Sequence, residues 1–169
     1  MLGVDPGKTG ALALFQPLRT AESGLRWIVI DMPVVDDELN AMAIRDWIMR
    51  HSPDHAFIEH VTAMPSIADK KTGVRRRMGA TGAFHFGGMF YGIKAIIACC
   101  GIPITLVTAG KWKKAHGLVG PDKEKSRKRA IELYPDMASA LARKKDANRA
   151  EAMLIAHWGD MQERLIKAA

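Results

Sequence analysis

The chain begins LGVDPGKTGALAL from Leu2, two short apolar runs joined by a turn, and this segment constrains the fold more than any other. Met1–Val4 is apolar and ends at Asp5. Asp5–Gly10 has Pro-Gly turn chemistry, and Ala11–Phe15 is the returning strand of a hairpin. A third strand is expected over Leu25–Met32, where LRWIVIDM alternates. The spacing of Leu39, Met42, Ala43, Trp47 and Ile48 predicts a helix over Asp36–Arg50. Ala56–Ile58 reads as a buried strand that stops abruptly at Glu59. A helix over Gly79–Cys100, a strand over Ile104–Thr108 and helices at about 123–134 and 147–166 complete the pattern. Three antiparallel strands followed by βα units imply an α/β fold, a mixed five-stranded sheet with helices on both faces. The irregular stretch 61–78 is long enough to suggest a functional or mobile loop.

At 169 residues and 48% apolar, the chain fits a single domain spanning 1–169 and excludes a disordered one. No apolar run approaches the ~20 residues of a membrane span, and no signal pattern opens the chain, so a membrane partner is not expected. Cys99 and Cys100 are adjacent, which suits reduced packing residues of a cytoplasmic protein better than a disulfide or zinc site. The net charge of +7 is unevenly spread. Residues 1–69 carry 5 basic and 10 acidic side chains, residues 70–149 carry 18 and 5, and residues 150–169 carry 2 and 3. A central segment at +13 points to a polyanion, nucleic acid before an anionic membrane, or else to a solubilising face.

Carboxylates mark the ends of apolar elements. Asp5 ends the first strand and Glu59 the strand Ala56–Ile58. A carboxylate bordering buried apolar residues is costly unless it meets a cation or a donor. If the two strands are neighbours, both acids meet at one sheet edge. Glu151 borders the packing face made by Ala150, Leu154, Ile155 and Trp158, and Asp146 stands at the start of the same helix, as a ligand or as its N-cap. Three or four convergent carboxylates form a hard oxygen site for Mg²⁺ or Mn²⁺, and two such ions support phosphodiester hydrolysis.

Together LGVDPGKTGALAL, AFIEHV and RAEAMLIA resemble the RuvC-type Holliday junction resolvases of the ribonuclease H-like superfamily, over nearly the whole chain. The resemblance implies a ribonuclease H-like nuclease domain and a homodimer that makes paired, metal-dependent nicks in branched DNA, the four-way junction. It assigns catalytic and metal-holding roles to Asp5, Glu59 and Glu151, the last where the family more often has Asp. Asn148 stands where the family often has another acid or His, which leaves either Asp146 or Asn148 as the fourth ligand. Lys113 and Lys123 look similar to two lysines that resolvases place near the scissile phosphate. The family's aromatic three positions after the second acid is here Thr62, which leaves Met64 as a wedge.

Lys70, Lys71, Arg75, Arg76 and Arg77 follow Glu59 in a glycine-containing segment suited to junction contact. Lys111, Lys114 and Lys125 extend a second basic run in which Trp112 reads as packing. His60 falls on the face opposite Glu59 by strand alternation and reads as structural. Gly7-Lys8-Thr9 is not a phosphate loop, because the required glycine position is Leu2. Two alternatives stand beside the resolvase: a small YqgF-like nuclease acting on structured RNA, and a non-catalytic junction-binding module.

Overall fold

A computed structural model describes residues 1–16, 27–61, 67–68, 75–76, 79–120 and 122–168, with only the backbone path at 67–68 and 75–76. The chain runs through β1 (Leu2–Asp5), β2 (Ala11–Phe15), β3 (Trp27–Asp31), β4 (Val34–Val35), β5 (Glu38–Leu39), α1 (Ala41–His51) and β6 (Ala56–Glu59). It continues through β7 (Ile67–Ala68), β8 (Arg75–Arg76), α2 (Ala80–Cys99), β9 (Ile104–Val107), α3 (Ala109–Ala115), α4 (Lys123–Leu133) and α5 (Ala147–Ala168). The main sheet has the order β3-β2-β1-β6-β9. Its first three strands form an antiparallel meander, and β6 and β9 lie parallel to β1. This is the mixed five-stranded sheet that the sequence implies.

Strand alternation sorts the side chains into two cores. Leu2, Val4, Leu12, Ala56 and Ile58 pack with Ile44 and Ile48 of α1 and Phe90, Ile93 and Ile97 of α2. On the other face Ala11, Ala13, Phe15, Phe57 and Val107 meet α5, with Trp112 of α3 and Ala130 of α4. The helix α5 touches the sheet closely. A Cβ on Gly3 would lie 2.1 Å from the Ala152 carbonyl oxygen, so only glycine lets β1 approach α5 this far.

The helix expected from Asp36 begins only at Ala41. Asp36 and Asp37 have φ of 49° and 67° and form the turn of the β4–β5 hairpin, a left-handed pair that matches strand twist. Asn40 then caps α1 by accepting from the Ala43 amide. The short α3 was not anticipated, because Ala109–Ala115 offers a single buried apolar position, Trp112, instead of a repeating stripe. Within 61–78, β7 and β8 pair antiparallel, so a short two-stranded ladder interrupts the irregular stretch. By length and composition α2 is the one helix among the described residues that could cross a membrane. It packs Met89, Phe90, Ile93 and Ile97 into the core while Phe84 and Tyr91 stay exposed.

Candidate active site

The strands β1 and β6 are parallel neighbours with Val4 opposite Ile58, so Asp5 and Glu59 leave the sheet side by side at its C-terminal edge. The same alternation that sends Val4 and Ile58 toward α1 and α2 turns both acids toward α5. Glu151, in the first turns of α5, meets them there and is 2% exposed. The three acids therefore converge from three elements whose positions are fixed by the core.

Two lysines reach the cluster. Lys123, the first residue of α4, places Nζ 2.8 Å from Glu151 Oε2, 3.5 Å from Asp5 Oδ2 and 2.7 Å from Asn148 Oδ1. Lys113 on α3 lies 3.3 Å from Glu151 Oε1, which also accepts the Ser126 hydroxyl at 3.2 Å. The Trp112 indole N–H donates to Glu59 Oε2 at 2.9 Å and so orients that carboxylate. The Asn148 side-chain amide donates to the Thr9 carbonyl, tying α5 to the turn after β1. In that turn a Cβ on Gly10 would lie 2.0 Å from the Asp5 carbonyl oxygen, so glycine is required to close it.

The electrostatics follow from crowding acids in a buried corner. Burial pushes the Asp5 carboxyl up to about 7, with Glu151 and Glu59 adding repulsion and Lys123 opposing it. Glu59 is also raised, by burial first, against the Trp112 hydrogen bond, with Glu151 adding. Burial works to lower the Lys123 ammonium, yet the Asp5 and Glu151 carboxylates outweigh it and raise the group overall.

A cleft of about 340 Å³ opens onto the cluster, bordered by Asp5, the Pro6–Gly10 turn, Glu59, Val61, Phe86 and Lys123. A second, of about 280 Å³, lies beyond Lys123 and is bordered by Asp122, Glu124, Lys144, Lys145 and Asn148. Oxygen donors alone suit Mg²⁺ or Mn²⁺. Among the described residues no three Asp, Glu, His or Cys groups are already spaced to grip one ion. The Lys123 ammonium instead stands between Asp5 and Glu151 as a cation of the chain's own. The donor set fits a hard divalent ion, and a cation is already drawn to its centre.

The other expected site residues divide. Asp146 makes its contacts away from the cluster. Its carboxylate accepts from the Arg143 backbone N–H at 2.8 Å and pairs with the Arg143 and Arg149 guanidinium groups, a cap on the entry to α5. Those arginines hold it below the usual carboxylate range, the Arg143 hydrogen bond first. None of its partners is shared with Asp5, Glu59 or Glu151. Lys111, Lys114 and Lys125 are exposed on α3 and α4 with no acidic partner within 4 Å among the described residues. Lys70, Lys71, Arg77, Thr62 and Met64 lie outside the described residues, and of Arg75 and Arg76 only the strand backbone is described. His60 sits near the Phe90 ring on the opposite face, as alternation requires. Sequence reasoning missed Ser126, the Trp112 hydrogen bond and Phe86 in the cleft. For Asn148 the signal was its i, i+3 spacing from Glu151 on one helix face.

No protein-family model and no curated protein sequence matches the chain. Solved structures do. T. thermophilus RuvC in complex with Holliday junction substrate aligns at 14% identity and a TM-score of 0.57, over 97% of this chain and 94% of that one. A second Thermus thermophilus RuvC structure aligns at 17% identity and 0.53, over 95% of each chain. At such identities the likeness is one of architecture, extending from the first strand to the last helix, and the fold of this chain is RuvC-like.

Proposed function

We propose that the chain is a divalent-metal-dependent endonuclease that resolves four-way DNA junctions by paired nicks, a single nuclease domain working as a cytoplasmic homodimer. The observation that carries this reading is the meeting of Asp5, Glu59 and Glu151 at one sheet edge, with Lys113 and Lys123 beside them. Mg²⁺ or Mn²⁺, two ions per site, would be held by Asp5, Glu59 and Glu151. Bound there, such ions supply an activated water and stabilise the leaving oxygen. The chain's own residues do the rest. Trp112 keeps Glu59 aimed at the cleft by holding one carboxylate oxygen. Lys113 and Lys123 neutralise charge that builds on the phosphate oxygens in the transition state. The exposed Lys111, Lys114 and Lys125 and the basic segment 70–77 supply the field that holds a phosphate backbone. The exposed Phe84 and Tyr91 on α2 support a paired arrangement, since large apolar groups in water favour association.

The test is a labelled four-way junction incubated with Mg²⁺, Mn²⁺ or EDTA. Paired nicks in either metal, lost in EDTA and in Glu59→Gln with binding retained, are the expected outcome. Preferential cleavage of structured RNA would replace this reading with the YqgF-like nuclease. One observation favours a second reading: Asn148 and the Lys123 ammonium among the acids also suit a junction-binding module without catalysis. Binding with no nicks under any metal would establish it.

The basic segment makes its own prediction. Changing Arg75, Arg76 and Arg77 together to Ala is expected to weaken junction binding. It should also flatten the dependence of log affinity on log salt by about one unit per lost phosphate contact. Fluorescence anisotropy across a salt series measures this, and an unchanged slope removes the segment from the interface.

A further inference from the structure

We propose that Lys123 is a displaceable counter-ion of the site: its ammonium holds the position of a divalent cation and leaves it when a nucleic-acid phosphate offers another partner, so that metal and nucleic acid load together. This rests on the metal reading above and adds an order of events to it.

The two lysines at the cluster are not equivalent. Lys113 has a side chain 17% exposed, runs beside the fully buried Trp112 and holds Nζ 5.1 Å from that ring. Its place is set by packing. The Lys123 side chain is 49% exposed and rises from the first residue of α4, so its stem swings into water without disturbing the core. Its head nevertheless meets Glu151, Asp5 and Asn148 at once. Three oxygens from three side chains around one positive charge is the environment a metal ion would demand. A divalent ion entering there meets an ammonium within van der Waals range, and like charges at such a distance exclude each other.

The structure also provides somewhere for the ammonium to go. Lys123 borders both clefts, the one over Asp5 and Glu59 and the one bordered by Lys144 and Lys145. Asp122 and Glu124 also border the second cleft, but Asp122 caps α4 by accepting from the Glu124 amide and Glu124 is paired with Arg127. A phosphate lodged there beside Lys144 and Lys145 gives the Lys123 ammonium an anionic partner outside the carboxylate cluster. Turning toward it uncovers Asp5 and Glu151 for the metal. Linkage then requires that metal and nucleic acid each tighten the other.

Mn²⁺ titration of the full chain, followed by the electron paramagnetic resonance signal of free Mn²⁺, tests this without any activity readout. Lys123→Met and Lys123→Gln are expected to bind Mn²⁺ at least about tenfold tighter than the unmodified chain. Lys128→Met, which removes the same charge from the exposed side of α4, should leave the affinity unchanged. A four-way junction with phosphorothioate linkages should tighten Mn²⁺ binding to the unmodified chain and do little for Lys123→Met. Equal or weaker Mn²⁺ binding by both Lys123 variants, with thermal melts confirming that they fold, overturns the proposal while sparing the metal reading. A matching gain in Lys128→Met overturns it as well, because the effect would then be a general field. No Mn²⁺ binding by any form, with or without junction, overturns both.

Discussion

Asp5→Asn is expected to abolish junction nicking, by a factor of about 10³ or more, while making the protein harder to unfold in EDTA at neutral pH. The two effects have one cause. Folding raises the Asp5 carboxyl from 3.8 to about 7, chiefly because it is buried, so the folded chain binds that proton more tightly than the unfolded one. Below about pH 4 both states are protonated and the group costs nothing. Between pH 4 and about 7 the unfolded state ionises first, and stability falls as the pH rises. Above about 7 the full penalty is present, with a ceiling of ~4 kcal/mol at 1.36 kcal/mol per unit. An amide at the same place carries no charge to desolvate but must find its own partners, so a gain of about 1–3 kcal/mol is expected, several degrees in Tm. The gain should fade as the pH is lowered toward 4. Mg²⁺ in large excess should stabilise the unmodified chain, by less than it stabilises Lys123→Met, and leave Asp5→Asn unmoved. Thermal melts at pH 4.5, 6 and 8, with and without metal, check each sign. An Asp5→Asn variant that is less stable at pH 8 than the unmodified chain would mean that Asp5 is a structural residue.

The same corner explains how far the sequence could be read. Asp5 and Glu59 were legible because strand alternation is local: knowing that Val4 and Ile58 are buried fixes the face of the next residue. Glu151 was legible as an acid on the edge of an apolar helical stripe. Asp146 was not, since nothing in its own neighbourhood distinguishes a ligand from a cap. Its partner is Arg143, which sends both its backbone amide and its guanidinium to the carboxylate. The start of α1 was misread because Leu39 continues a helical spacing while Asp36 and Asp37 take left-handed conformations that spacing does not report. Lys123 was placed near a phosphate by resemblance, but its contact with Asp5 spans 118 residues, and no period in the sequence encodes such a meeting. Periodicity reports which face a residue takes; the charge pairing across faces is a property of the packed tertiary structure.

Gly3→Ala is the change expected to damage the molecule most for its size. Glycine within a strand is ordinarily a weakness that alanine relieves, so any loss measures the clash alone. The added Cβ would lie 2.1 Å from the Ala152 carbonyl oxygen and 2.5 Å from the Ala156 nitrogen, both backbone atoms of α5 that no rotamer change can clear. Relief requires lifting the helix from β1, and a loss of about 3 kcal/mol or more is expected in denaturant unfolding. The site suffers separately. Ala152 directly follows Glu151, so the same displacement draws that carboxylate away from Asp5 and from Lys113 and Lys123. Gly159 provides the comparison. A Cβ there would press on the Phe57 ring, at 2.2 Å, eight residues beyond Glu151. Gly159→Ala is therefore expected to cost stability while leaving more activity, and tighter Mn²⁺ binding, per folded molecule than Gly3→Ala. If the two variants lose activity only in proportion to the unfolded fraction, the close seat of α5 on β1 serves stability and not the alignment of Glu151. If Gly3→Ala retains full stability, β1 and α5 are not in the contact described.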